Sequence, residues 1–127
     1  MSNSKITSII TLWLPVFLWC AVIYYFSAIP NLKSDLPSRW DLIFRKIAHM
    51  TEFGILTVFL FRSYLKCSGF TKKRSIVFAI IFALSYAFTD EYHQLFVFGR
   101  EGSLVDIFID SLGIFFAAFL IYRKVKK

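Results

Sequence analysis

The chain is organised around the stretch DEYHQLFVFGREGSLVDIFID, residues 90–110. Two apolar runs meet here through a short glycine-containing turn at residues 99–102. The runs carry four carboxylates inside or beside them, namely Asp90, Glu91, Asp106 and Asp110. A charge at membrane depth costs about 2.5 to 3.5 kcal/mol on insertion scales. This density of acids in a chain that is 57% hydrophobic therefore predicts a requirement other than folding.

The rest of the chain has the composition of an integral membrane protein. Its mean hydropathy is +0.63 and aromatic residues make up 20% of it, both outside the range of soluble proteins. We expect one domain, residues 1–127, folded as an all-α bundle of four transmembrane helices. The expected spans are about 6–26, 41–61, 75–97 and 103–122. The first is longer than the apolar core of a signal peptide, so we expect it to be retained.

The distribution of charge predicts the orientation of these spans. The N-terminus, residues 62–74 and the C-terminus hold ten basic residues and no acid, whereas the opposite side holds all eight acids. By the positive-inside rule, both termini are expected in the cytoplasm. The net charge of +7 is then explained by the excess of basic residues on the cytoplasmic side, so nucleic acid is not an expected partner.

In this topology, the polar parts of the second, third and fourth helices lie at one depth in the outer half of the membrane. Helical spacing gives each of these helices one polar face. The faces consist of Lys46, His49 and Glu52; Asp90, His93 and Gln94; and Ser103, Asp106, Asp110 and Gly113. We therefore expect an outward-facing polar pocket between the three helices, with Gly113 allowing close helix packing.

Two kinds of chemistry fit these residue types. In acid–base chemistry without a metal, the catalytic candidates are His49, Asp90, Glu91, His93 and Asp106, and the substrate-binding candidates are Lys46, Glu52, Gln94, Arg100 and Asp110. In the alternative, a divalent cation is bound by His49, Glu91, His93 and Asp106. The His-Glu-x-x-His spacing of zinc proteases is absent. Ser103 is a weaker nucleophile candidate, because a serine beside a turn is usually a helix N-cap.

The chain also resembles the VanZ-like family of small bacterial membrane proteins over nearly its whole length. The motifs that carry the resemblance are YYFSAIP at 24–30, KIAHMTEFGIL at 46–56 and DEYHQLFVFGREGSLVDIFIDSLG at 90–113. Phe98 departs from the proline often found before the Gly-Arg pair. The resemblance implies location in the bacterial cytoplasmic membrane, and the founding member is linked to resistance to the glycopeptide teicoplanin. It implies no established reaction.

These observations predict a membrane protein of the cell envelope that binds or processes a lipid-linked substrate or one with an anionic headgroup. Membrane lipids or a lipid-linked envelope precursor are the expected partners. An enzyme of this kind would be a membrane-embedded hydrolase or transferase. The alternative is a non-enzymatic accessory or scaffold subunit of a membrane complex, in which the polar groups only hold the bundle together.

Overall fold

The computed structural model describes residues 3–28, 38–96 and 104–126. Four helices make up nearly all of these ranges, and no strand occurs in them. The helices are α1 (Asn3–Ala28), α2 (Ser38–Cys67), α3 (Lys72–Gln94) and α4 (Leu104–Lys126). The prediction of an all-α fold with four helices is thus confirmed.

The outer surface of the bundle is apolar, as a membrane-embedded protein requires. Helices α1, α3 and α4 are each long and apolar enough to cross a membrane. Phe17, Phe88, Phe108 and Phe116 are more than half exposed on them. Helix α2 has 30 residues, about 45 Å at 1.5 Å per residue, but the charged side chains of its first half keep its hydropathy lower. A fourth span along α2 therefore stays a prediction.

Helix α2 is the centre of the bundle, although it is the least uniformly apolar of the long helices. It packs against all three other helices, most extensively against α4, and the described parts of α1 and α4 do not contact each other. Its second half supplies Phe53, Leu56 and Leu60 to the core, all fully buried. The opposite side of this core is an alanine stripe on α3, Ala79, Ala83 and Ala87. Small side chains one turn apart allow α3 to lie close to its neighbours.

Hydrogen bonds from side chains to backbone carbonyls attach α1 to the other helices. The Ser63 hydroxyl donates to Leu12 at 2.7 Å, the Trp19 indole to Glu52 at 2.8 Å and the Tyr86 hydroxyl to Cys20 at 2.6 Å. Within a membrane such bonds join helices that have no hydrophobic driving force between them. They fix the position of α1 beside α2 and α3.

The connection between α2 and α3 is much shorter than residues 62–74, the basic segment that separates the expected second and third spans. Helix α2 continues to Cys67 and α3 begins at Lys72, so basic side chains lie exposed on the two helix ends. Long basic side chains can stay on a helix near the interface, because their stems are apolar and their charge reaches water. Gly69 has a φ of 70°, and the Thr71 hydroxyl caps α3 by accepting from the Arg74 amide.

Helices α2 and α4 approach each other most closely at two glycines. A Cβ atom on Gly113 would lie 2.1 Å from the carbonyl oxygen of Met50, which is inside any allowed contact. A Cβ on Gly54 would lie 3.3 Å from the carbonyl oxygen of Gly113. The close approach expected at Gly113 is present, and it brings Asp110, one turn earlier on α4, to the level of His49 on α2.

Candidate functional site

Four ionisable side chains from three helices converge in the interior of the bundle. We call His49, Asp90, Glu91 and Asp110 the four-residue group. One donor atom from each side chain lies within 4.8 Å of the donor atoms of the other three. His49 comes from α2, Asp90 and Glu91 from α3, and Asp110 from α4. The group is therefore assembled by helix packing and not by any local motif.

The carboxylates of this group are almost completely removed from solvent. Asp90 is 4% exposed, Glu91 3% and Asp110 0%, whereas His49 is partly buried. Neither carboxylate oxygen of Asp90 or of Asp110 has a hydrogen-bond partner in the part of the chain that the structure describes. Two ionised carboxylates whose oxygens lie 4.8 Å apart, the upper limit in this group, repel each other by about 3 kcal/mol at an effective dielectric constant of ~20. A group of this kind is costly unless something binds to it.

The sequence directs these acids inward because they continue the buried faces of their helices. On α3 the buried face runs through Ser75, Ala79, Ala83 and Ala87 and ends with Asp90, Glu91 and Gln94. On α4 it runs through Asp110, Gly113, Ile114, Ala117 and Ala118. Turning either acid outward would turn the apolar face of the same helix away from the core. The packing of the rest of the bundle thus holds the acids in place.

His49 lies close to both aspartates of the group. Its Nδ1 atom is 3.5 Å from Oδ1 of Asp110, an ion-pair distance that is longer than a normal hydrogen bond. Asp90 is in the neighbourhood of His49, His93 and Asp110, and of the Ser27 hydroxyl at the end of α1. Ser27 is itself 2% exposed. The surroundings of Asp90 thus include a residue of α1.

Lys46 and Asp106 form a separate ion pair beside the group. The Lys46 ammonium donates to Oδ1 of Asp106 and joins α2 to α4. Both side chains are partly exposed, at 31% and 23%. Asp106 lies one turn before Asp110 on α4, and it is not one of the four clustered residues. The structure therefore places the two aspartates of α4 in different settings.

The remaining candidates lie around the group. His93 stacks on the ring of Tyr24 from α1, with a centroid distance of 4.6 Å and an interplanar angle of 27°, and it is not one of the clustered residues. Gln94 is 3% exposed and follows Asp90 by one turn on the same face. Glu52 is half-buried on α2, one turn after His49. Arg100 and Ser103 lie outside the described residues.

Sequence reasoning did not include α1 in the site. Tyr24 has the properties of an interface anchor, and Ser27 belongs to a segment that predicts a turn. In the structure Tyr24 contacts His93, and Ser27 lies beside Asp90. The signal that could have identified both residues is the motif YYFSAIP, which contains them and which carries part of the family resemblance.

A lateral apolar groove lies on the surface near the site. Its volume is about 360 Å³, and its lining residues are Tyr64, Phe78, Ile81, Phe82, Ser85, Tyr86 and Thr89. Most of them lie along α3, from Phe78 to Thr89, which corresponds to about 16 Å of helix. The groove ends at the residue immediately before Asp90, but on a different face of α3 from the four-residue group.

Comparison with known proteins identifies one family. The family described as VanZ/LLP1 matches residues 5–125, which is nearly the whole chain. No curated protein and no solved structure matches the chain.

Proposed function

Because the chain belongs to the VanZ/LLP1 family, we propose that it is a bacterial cell-envelope membrane protein that binds or processes a lipid-linked substrate or one with an anionic headgroup. The observation that carries this proposal is a group of three buried carboxylates and the partly buried His49 between three helices, with donor atoms within 4.8 Å of one another. Ionisable groups within membrane helices are costly, and they usually mark a site for a substrate, an ion or a proton.

The groove on α3 supports a lipid as the substrate. It is open to the side and mostly apolar, and its length of about 16 Å accommodates a large part of an acyl chain. A chain lying in it would bring its headgroup to the level of Thr89 and Asp90. Lys46 lies at this end of the bundle, partly exposed in its ion pair with Asp106, and the sequence predicts Arg100 there as well. These are the groups that we propose to hold an anionic headgroup.

The proposed site lies in the outer half of the cytoplasmic membrane, with both termini in the cytoplasm. The basic ends of α2, α3 and α4 support this orientation, because Arg62, Lys66, Arg74, Arg123 and Lys124 all lie away from the four-residue group. Labelling of Ser68→Cys and Ser34→Cys in a cysteine-free background tests it. An impermeant reagent on intact cells should modify position 34 alone, and modification at 68 would invert the orientation.

Binding of defined lipids to the purified chain tests the substrate class. We expect native mass spectrometry to show preferential retention of phosphatidylglycerol and a polyprenyl phosphate over phosphatidylcholine. Lys46→Gln should weaken anionic lipid binding about tenfold, or about 1.4 kcal/mol. Lys124→Gln is the matched control, since it removes an exposed lysine at the opposite end of α4. Equal binding of all three lipids, or equal losses in both variants, would contradict the proposal.

A test of the proposed function in cells uses Glu91→Gln, which removes a buried charge with little change of shape. Teicoplanin susceptibility is the phenotype suggested by the family resemblance. If the four-residue group serves a substrate, the variant should accumulate in the membrane like the wild type and lose the wild-type effect on susceptibility. If Glu91→Gln retains the full effect, or fails to accumulate, the accessory or scaffold function is favoured.

A further inference from the structure

The four-residue group has the composition of a metal site. It offers one imidazole and three carboxylates, each with a donor atom within 4.8 Å of the other donors. Carboxylates favour Mg²⁺, Ca²⁺ and Mn²⁺, whereas imidazole favours Zn²⁺ and other transition metals. The mixed set is suited to a divalent transition metal of the Mn²⁺ or Zn²⁺ type.

The spacing of the donors fits a single ion. Two ligands on opposite sides of an ion are separated by at most twice the bond length, about 4.2 Å for bonds of ~2.1 Å. The upper limit of 4.8 Å in the group exceeds this by only a few tenths of an ångström. We expect small rotations of the side chains to close that difference.

A second observation points independently to a ligand. Asp90 and Asp110 are at least nine-tenths buried, and none of their four carboxylate oxygens has a partner with hydrogen-bond geometry among the described residues, although the Ser27 hydroxyl lies beside Asp90 and the His49 imidazole beside Asp110. Nδ1 of His49, which is 3.5 Å from Asp110, also lacks a hydrogen-bond partner there. Protein interiors leave few buried polar atoms unsatisfied. Here such atoms belong to three of the four side chains whose donor atoms lie within 4.8 Å of one another.

We propose that His49, Asp90, Glu91 and Asp110 bind one divalent transition-metal ion between α2, α3 and α4. The ion would offset the repulsion between the Asp90 and Asp110 carboxylates and connect three helices at one point. This set differs from the one that the sequence suggests, because His93 stacks on Tyr24 and Asp106 pairs with Lys46. The proposal does not rest on the lipid function, and cation binding can be measured without any lipid substrate.

Electron paramagnetic resonance of Mn²⁺ tests the proposal on the purified full-length chain in detergent. After treatment with EDTA, titration with Mn²⁺ should show one bound ion per chain, which Zn²⁺ displaces. Pulsed measurements on the bound ion should detect the coupling of an imidazole nitrogen. Because the chain contains two histidines, this signal can be assigned by comparing His49→Gln with His93→Gln.

Two matched pairs of variants distinguish the proposed set from the sequence-based set. His49→Gln and Asp110→Asn should weaken Mn²⁺ binding by at least about 100-fold, since loss of even an outer-shell partner costs 10- to 100-fold. His93→Gln and Asp106→Asn should bind Mn²⁺ like the wild type. At saturating Mn²⁺ the nitrogen coupling should be absent from His49→Gln and present in His93→Gln.

Three results would overturn the proposal. The first is an absence of saturable binding of Mn²⁺ and Zn²⁺ to the folded wild-type chain, which would mean that protons alone satisfy the carboxylates. The second is binding without nitrogen coupling, and this measurement requires no variant. The third is an equal loss of affinity in His93→Gln and Asp106→Asn. If cation binding fails while anionic lipids still bind, only the metal site is rejected.

Discussion

The interior of the bundle has two halves that are equally buried and chemically opposite. The apolar half contains Phe53, Leu56 and Leu60 of α2, Ala79, Ala83 and Ala87 of α3, and Ile114 and Ala117 of α4, at 0–8% exposure. The polar half contains the four-residue group, whose carboxylates are 0–4% exposed. Helices α2, α3 and α4 contribute to both halves, and α1 adds Val16 and Ile23 to the apolar half. Buried carboxylates are costly where apolar side chains would pack, so the polar half indicates a requirement other than packing.

The largest effect is expected at the junction of the two halves, from Gly113→Ala. The new Cβ would meet the Met50 carbonyl oxygen at 2.1 Å, so α2 and α4 must separate along their backbones. We expect a loss of at least about 3 kcal/mol, the upper range for overpacking, together with displacement of Asp110 from His49. Thermal unfolding in detergent measures the loss.

Gly54→Ala is the matched control for this junction. Its Cβ would lie 3.3 Å from the Gly113 carbonyl oxygen, a contact that a shift of a few tenths of an ångström relieves. Its melting temperature should fall clearly less than that of Gly113→Ala. Equal melting temperatures for Gly113→Ala and the wild type would show that α2 and α4 are not in this close contact.

A smaller effect is expected in the apolar half, from Leu56→Ala. Leu56 is fully buried, so truncation leaves a cavity between α2 and its neighbours. We expect a loss of about 2 kcal/mol, the low end for such substitutions, because lipid is as apolar as the core in the unfolded reference. Val58→Ala is the control, since Val58 is 44% exposed. If both variants unfold at the same temperature, α2 does not pack as described.

A still smaller effect is expected from the ion pair at the edge of the polar half. Lys46 and Asp106 are partly exposed, so solvent screens their attraction, and Asp106→Asn should cost less than about 1 kcal/mol. The exchanged pair, Lys46→Asp with Asp106→Lys, should restore most of the loss. A loss of several kcal/mol, or failure of the exchanged pair, would show that this pair is part of the structural core.

The sequence predicts the helices and the depth of the polar residues, because apolar runs and helical spacing are local properties. It does not predict the partners of each acid. Asp106 and Asp110 share one stripe on α4, but across the interface with α2 Asp106 meets Lys46 and Asp110 meets His49. Likewise His93 lies one turn from Asp90 but faces Tyr24 of α1. The partner that each of these side chains meets depends on the contacts between helices. Helical periodicity carries no information about those contacts.

Helix α2 extends beyond the span expected from the sequence, for a related reason. The expected span of 41–61 ends before Arg62 and Lys66, whereas the helix runs from Ser38 to Cys67, and the extent of the span itself stays a prediction. In its first half, Lys46 pairs with Asp106 across the interface with α4. At its end the exposed basic stems reach water. A hydropathy profile shows neither the ion pair nor the reach of the basic side chains to water.

The stability of Asp110→Asn without bound cations tests most directly whether the polar half serves a ligand. Asn is close in shape to Asp and removes one of the three buried carboxylates. In thermal unfolding with EDTA, we predict a melting temperature equal to or above that of the wild type, because an unfavourable charge is removed. A decrease corresponding to about 3 to 5 kcal/mol, as for a broken buried ion pair, would contradict the account and make the polar half a structural network around His49 and Asp110.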